Sequence, residues 1–195
     1  NEQWLPGETI SAAIGQGYVT VTPLQMASLV GTVANNGVSY RPRLVQAVMD
    51  RMSGNLQELP AVPRGKINAK PETFRVIKDA LADVVTKGTA TRAKSSMVTI
   101  GGKTGTAQVA ALRTGPEENI PKKFRDHAWF VAFAPVESPK IAVAVLAEHM
   151  GHGGAAAAPL AKEVIETYMK LAPQVPAVTS DLSGVNRPER SAKDS

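Results

Sequence analysis

Hydrophobic and polar positions along this chain follow two different periods, and the changes of period mark out its elements. Thr22-Pro23-Leu24-Gln25 opens the clearest segment: Thr22 can cap a helix start, Gln25 can return the hydrogen bond, and Pro23 suits the first turn. Leu24, Ala27, Val30 and Ala34 continue at helical spacing until Asn35-Asn36-Gly37 supplies a left-handed stop, which predicts a helix over about 23–36. A second helix is predicted from Pro71, with Phe74, Ile77, Leu81 and Val84 on one stripe and Lys87-Gly88 closing it. A third is expected over Ala155 to Leu171, with Pro159 in its first turn and Leu160, Val164, Ile165 and Met169 as an apolar stripe able to cover a sheet.

Strands are read at Val98 to Val109, Ala128 to Ala134 and Lys140 to Glu148; the short Pro135 to Pro139 link pairs the last two as an antiparallel hairpin. A smaller hairpin is expected from Arg43 to Met49 and Leu56 to Leu59, turning through Asp50 to Asn55 and ended by Pro60 to Pro63. Ile14-Gly15-Gln16-Gly17-Tyr18 reads as a glycine-punctuated turn, and Thr89-Ala90-Thr91 as the start of a loop or short helix. The connection from Ala110 to Asp126 is longer than most compact loops, which suits a segment beside a cleft. Beyond Pro173 the chain is polar and aperiodic, so a disordered tail is expected over 173–195 after one domain over 1–172.

Composition narrows the class. At 195 residues and 43% hydrophobic content the chain can bury one sizeable core. The absence of cysteine excludes disulfides, thiolate metal sites and cysteine nucleophiles. A net charge of +5 invites nucleic acid, but the basic residues are scattered and only three Tyr and four Phe are available for stacking, so no nucleic acid is expected; a mild positive surface would equally suit an anionic substrate. No apolar run reaches the roughly 18 residues that a membrane-spanning helix needs, and the chain starts at Asn1 without a Met, so any anchor is expected upstream.

The candidate chemistry lies in Lys103-Thr104-Gly105-Thr106. On an exposed strand, such a segment can bind an extended peptide through its main chain, with Gly105 leaving room for the ligand backbone. Lys103 adds positive potential, and the Thr104 and Thr106 hydroxyls can donate to a carboxylate. A Lys-[Ser/Thr]-Gly tripeptide arises by chance in roughly one chain in ten of this length, and a turn after a strand would explain it equally well, so context must decide. Here the tripeptide sits inside a strand, strand, strand, helix succession.

In that setting, Gly101-Gly102-Lys103-Thr104-Gly105-Thr106-Ala107-Gln108 resembles the third active-site motif of penicillin-binding proteins. Ile14 to Tyr18 followed by Thr22-Pro23-Leu24-Gln25-Met26-Ala27, Gly88-Thr89-Ala90 and Phe133-Ala134-Pro135 are similar to the same family, over about Gly7 to Leu171. Arg125-Asp126-His127 most resembles penicillin-binding protein 2, the class B enzyme of cell elongation. The resemblance implies an α/β fold of the α+β type, an antiparallel sheet flanked by helices, shared with serine beta-lactamases and incomplete in this chain. It implies a D,D-transpeptidase that cross-links peptidoglycan stem peptides ending in D-Ala-D-Ala through an acyl-serine, and that beta-lactams acylate.

By motif, Lys103 would hold the site's electrostatics and proton network, Thr104 and Thr106 would bind the terminal carboxylate beside Gly105, and the Thr106 N–H would furnish half of the oxyanion hole. The family also implies an upstream membrane helix, a place on the periplasmic face of the inner membrane, and glycosyltransferase and scaffold partners. One part of the pattern is missing: no Ser is followed three residues later by Lys, so the nucleophile is expected outside this chain. Ser53-Gly54-Asn55 matches Ser-x-Asn, but it follows the segment that should come after that motif and reads as a turn.

Two other constellations have plainer readings. Glu148-His149-Met150-Gly151-His152 is a glycine-rich rim without convergent ligand geometry, and neither a metal nor a cofactor is expected. Asp126 and His127, adjacent on a strand, point to opposite faces and suit a structural role better than a hydrolase triad. A serine beta-lactamase remains a second enzymatic reading, and a non-catalytic peptide-binding or beta-lactam sensor module is the alternative of a different class.

Overall fold

The computed structural model describes residues 4–109 and 120–171. At its centre lies an antiparallel sheet of β5 (Gly101–Ala107), β6 (His127–Ala134) and β7 (Ile141–Ala147), in that spatial order. Register is continuous, with Thr104 opposite Phe130 and Phe130 opposite Val145. The predicted hairpin of the last two strands is therefore present, and among the described residues β5 is an edge strand.

Helix α2 (Pro23–Ala34) starts as its sequence requires: the Gln25 N–H donates to Thr22 Oγ1 at 3.2 Å, and the Thr22 N–H donates to Gln25 Oε1 at 2.8 Å. Helix α3 (Pro71–Thr86) and helix α4 (Ala157–Leu171) lie where expected. Helix α1 (Pro6–Ala13) had no sequence counterpart; it is short and buries no residue, so no stripe announces it.

The small hairpin is the pair β2 (Ala47–Met49) and β3 (Leu56–Glu58), shorter than expected. The stretch Pro60 to Pro63 does not end the strand region. Pro63 begins β4 (Pro63–Lys66), which pairs with β1 (Val38–Tyr40); a proline is tolerated at the first residue of a strand.

The main core lies on one face of the central sheet, where Phe130, Ala128 and Ala132 meet Ala157, Ala158, Ala161 and Ile165 of α4, with Val85, Ala90 and Ala93. The expected α4 stripe is corrected in part. Ile165 is fully buried and Met169 packs against the core, but Leu160 and Val164 are 47% and 49% exposed. Alanines, not leucines, meet the sheet, because their small side chains let helix and strands approach closely. In α3, Phe74 is buried and Leu81 and Val84 are half-buried, while Ile77 is exposed and Val85 is buried in its place. On the opposite sheet face, Val30 and Ala34 of α2 cover Phe133, leaving Leu24 and Leu29 exposed. The expected long connection before β6 falls largely outside the described residues, ending in a helical turn at Lys122–Phe124, and the tail over 173–195 lies wholly outside them.

Candidate active site

β5 carries Lys103, Thr104, Gly105 and Thr106 along its open edge. Alternate residues of an antiparallel ladder turn both main-chain groups the same way. The Thr104 carbonyl accepts from Lys103 Nζ at 3.0 Å, and the Thr106 carbonyl accepts from Gln16 Nε2 at 2.8 Å. Side-chain donors thus meet both carbonyls, which fits these two residues turning their main-chain groups to the edge away from β6. Lys103 is exposed and folds back along the strand, its Nζ also 3.5 Å from Thr104 Oγ1.

Thr104 and Thr106 line a cleft of about 460 Å³ with Thr89, Thr91, Arg92, His152 and the Gly153–Ala155 turn. Among the described residues its lining contains no carboxylate, so the local potential there favours an anion. Thr89 Oγ1 lies 2.9 Å from Thr104 Oγ1, and Arg92 Nη1 donates to the Ala155 carbonyl at 3.1 Å, tying the segment after α3 to the opposite wall.

That wall is pressed against the strands. A Cβ at Gly153 would lie 2.1 Å from the Trp129 carbonyl oxygen and 2.6 Å from that of Gly105, so no side chain fits there. At Gly105 a Cβ would meet Trp129 Cβ at 3.2 Å. The wall is anchored from below: the His149 N–H donates to His127 Nδ1 at 2.9 Å, His149 Nδ1 sits 3.1 Å from the Arg125 carbonyl, and the Gly151 N–H donates to the Asp126 carbonyl. The two imidazoles meet edge to face at 4.6 Å. The His127 side chain thus accepts from a backbone N–H beneath the wall.

Ser53-Gly54-Asn55 forms the tip of the β2–β3 hairpin. The Met52 N–H donates to Asp50 Oδ1 at 2.8 Å, and this contact, followed by those from Ser53, holds the Asp50 carboxyl below its usual range. Away from the cleft, the Thr99 hydroxyl donates to Glu137 and lowers that carboxyl in the same way.

Sequence reasoning brought together Lys103, Thr104, Gly105 and Thr106. It noted Thr89 and Gln16 only within local segments and missed their contacts with the strand. Two left-handed glycines flanking Gln16 were the available signal for that residue.

A helix-flanked antiparallel sheet with such a strand at its edge is the fold of penicillin-binding transpeptidase domains. The model of the penicillin-binding protein transpeptidase domain matches residues 1–166, and the chain belongs to that family. It is 38% identical over 172 residues to the peptidoglycan D,D-transpeptidase MrdA of Acinetobacter baumannii, an alignment covering 86% of this chain and 25% of that protein. Among solved structures, the ceftriaxone acyl-enzyme of penicillin-binding protein A from Mycobacterium tuberculosis is similar, with a TM-score of 0.66 and 32% identity, over 80% of this chain and 34% of that one. The penicillin-binding protein 2 of Helicobacter pylori, in complex with MreC, gives a TM-score of 0.67 at 26% identity, over 88% and 29%. The chain therefore spans about a quarter of the length of the curated relatives it matches. Among the described residues, no helix is long and apolar enough to cross a membrane.

Proposed function

We propose that this chain forms the substrate-strand wall of a peptidoglycan D,D-transpeptidase whose nucleophilic serine is supplied by the rest of the parent protein. In the proposed reaction, the serine Oγ adds to the penultimate D-Ala carbonyl of a stem peptide. The C–N bond breaks, terminal D-Ala leaves with a proton, and an amine of a neighbouring strand then attacks the ester and frees the serine. Beta-lactams would acylate the same serine; the mycobacterial relative is a ceftriaxone acyl-enzyme complex.

The observation that carries this reading is the joint placement of Thr104 and Thr106 in one cleft, without carboxylates among its described lining residues, beside Lys103 on the strand edge. The hydroxyls would hold the terminal carboxylate, and the Thr106 N–H would stabilise the oxyanion. Lys103 would supply positive potential and support proton transfer, and Gly105 would let the ligand backbone approach. The parent would work at the periplasmic face of the inner membrane, anchored by an upstream helix, with glycosyltransferase and scaffold partners; the MreC complex of the Helicobacter relative supports the scaffold part.

Fluorescent-penicillin labelling tests the proposal. The full-length parent is expected to be labelled covalently and the isolated chain is not. Lys103→Ala in the parent should slow acylation by about a hundredfold or more at unchanged melting temperature. An unlabelled parent would move the reading to a non-catalytic binding module, and unchanged acylation of the variant would reject the role of Lys103.

A further inference from the structure

We propose that Gln16 is a positioning residue for the substrate strand, holding the Thr106 carbonyl so that the Thr106 N–H stays aimed at the cleft. This rests on the transpeptidase reading above. The contact spans ninety positions of sequence, and its Nε2 to O distance of 2.8 Å is that of a well-formed hydrogen bond. It acts near the end of β5, one residue before the strand's last, Ala107, where an edge strand lacks a second neighbour to hold its main chain.

The turn that presents Gln16 is built for it. Gly15 and Gly17 have φ of +74° and +68°, a conformation that side-chain-bearing residues rarely adopt, and they reverse the chain on either side. The Gln16 N–H donates to the Ser11 carbonyl at 2.9 Å and the Gly15 N–H to the Ala12 carbonyl at 3.0 Å, which fastens the turn to the end of α1. Gln16 is half-buried between two exposed glycines.

The chemistry requires an amide. A carboxylate here would set lone pairs against the Thr106 carbonyl, and Asn would fall short by one methylene. With Lys103 Nζ on the Thr104 carbonyl and Gln16 on the Thr106 carbonyl, both edge acceptors already carry a donor. Each carbonyl keeps a second lone pair, so the edge can still pair with an extended peptide while its N–H donors meet carbonyl, oxyanion and carboxylate groups.

The test uses the full-length parent, with stopped-flow acylation by fluorescent penicillin and hydrogen exchange of the peptide that contains residues 103–107. Gln16→Leu is expected to lower the acylation rate constant about tenfold, with pre-covalent affinity and melting temperature nearly unchanged, and to speed exchange in that peptide. Gln16→Glu should be equally slow at neutral pH. Its rate relative to wild type should recover as the pH falls through about 4 to 5, where the protonated carboxyl donates again. Wild-type acylation and exchange in both variants would overturn the proposal, as would parallel losses of rate and melting temperature without the acid recovery. If the wild-type parent is not labelled, the transpeptidase reading fails by itself, and the exchange measurement still decides whether Gln16 holds the strand.

Discussion

The two faces of the central sheet are finished to different degrees. On the α4 face, Phe130, Ala128, Ala132 and Ala134 meet Ala157, Ala158, Ala161 and Ile165, all fully buried. On the α2 face the buried set is only Val30, Ala34 and Phe133, and Leu24 and Leu29 of the covering helix are 60% and 54% exposed. One face is sealed by residues of this chain, as a domain core is. The other is covered by a helix that leaves large apolar side chains exposed among the described residues, as surfaces that meet further protein do.

The strongest test of this contrast is Phe130→Ala, which empties the sealed face and should cost about 3–5 kcal/mol in chemical denaturation. A loss under about 1 kcal/mol would show that face to be loosely packed. Leu24→Ser sharpens the other side. In the isolated chain it should change stability by no more than about 0.5 kcal/mol, whereas in a longer parent whose further residues cover the helix it should cost about 2 kcal/mol. Equally small effects in both would mean that this surface faces solvent.

The smallest effect is expected from Thr99→Val. The Thr99 hydroxyl lowers the folded-state pKa of Glu137, so its contribution is present above the unfolded-state value and lost as pH falls through the folded one. Wild type should therefore melt slightly above the variant at neutral pH, by about a degree, and the gap should narrow in acid, where only the hydroxyl's bond from the Val136 N–H remains. Because Glu137 is exposed, solvent screens the interaction and keeps it small.

What the sequence made legible was local. The Thr22 to Gln25 capping box, the Pro71 start of α3 and the β6–β7 hairpin each depend on neighbours within a few residues, and each is present. The strand bearing Lys103 and Thr104 was found through its motif. The rest depends on contacts distant in sequence. Which face of α4 meets the sheet is decided by how closely alanine lets it approach, so Leu160 and Val164 fell on the wrong side of the prediction. The pairing of β1 with β4, the Thr89 hydroxyl on Thr104 and the Gln16 amide on Thr106 join segments that no periodicity links.

β7 has consequences for handling the protein. Its residues Ile141 to Ala147 are all aliphatic and include no charge or proline, and among the described residues the strand has a strand neighbour on one side only. Such an edge is a template for another copy of itself, and Lys140 and Glu148 at its two ends are the nearest charges that discourage stacking. Concentrated preparations of the isolated chain should accordingly thicken into β-rich aggregates, and a lysine placed midway along β7 should keep them clear.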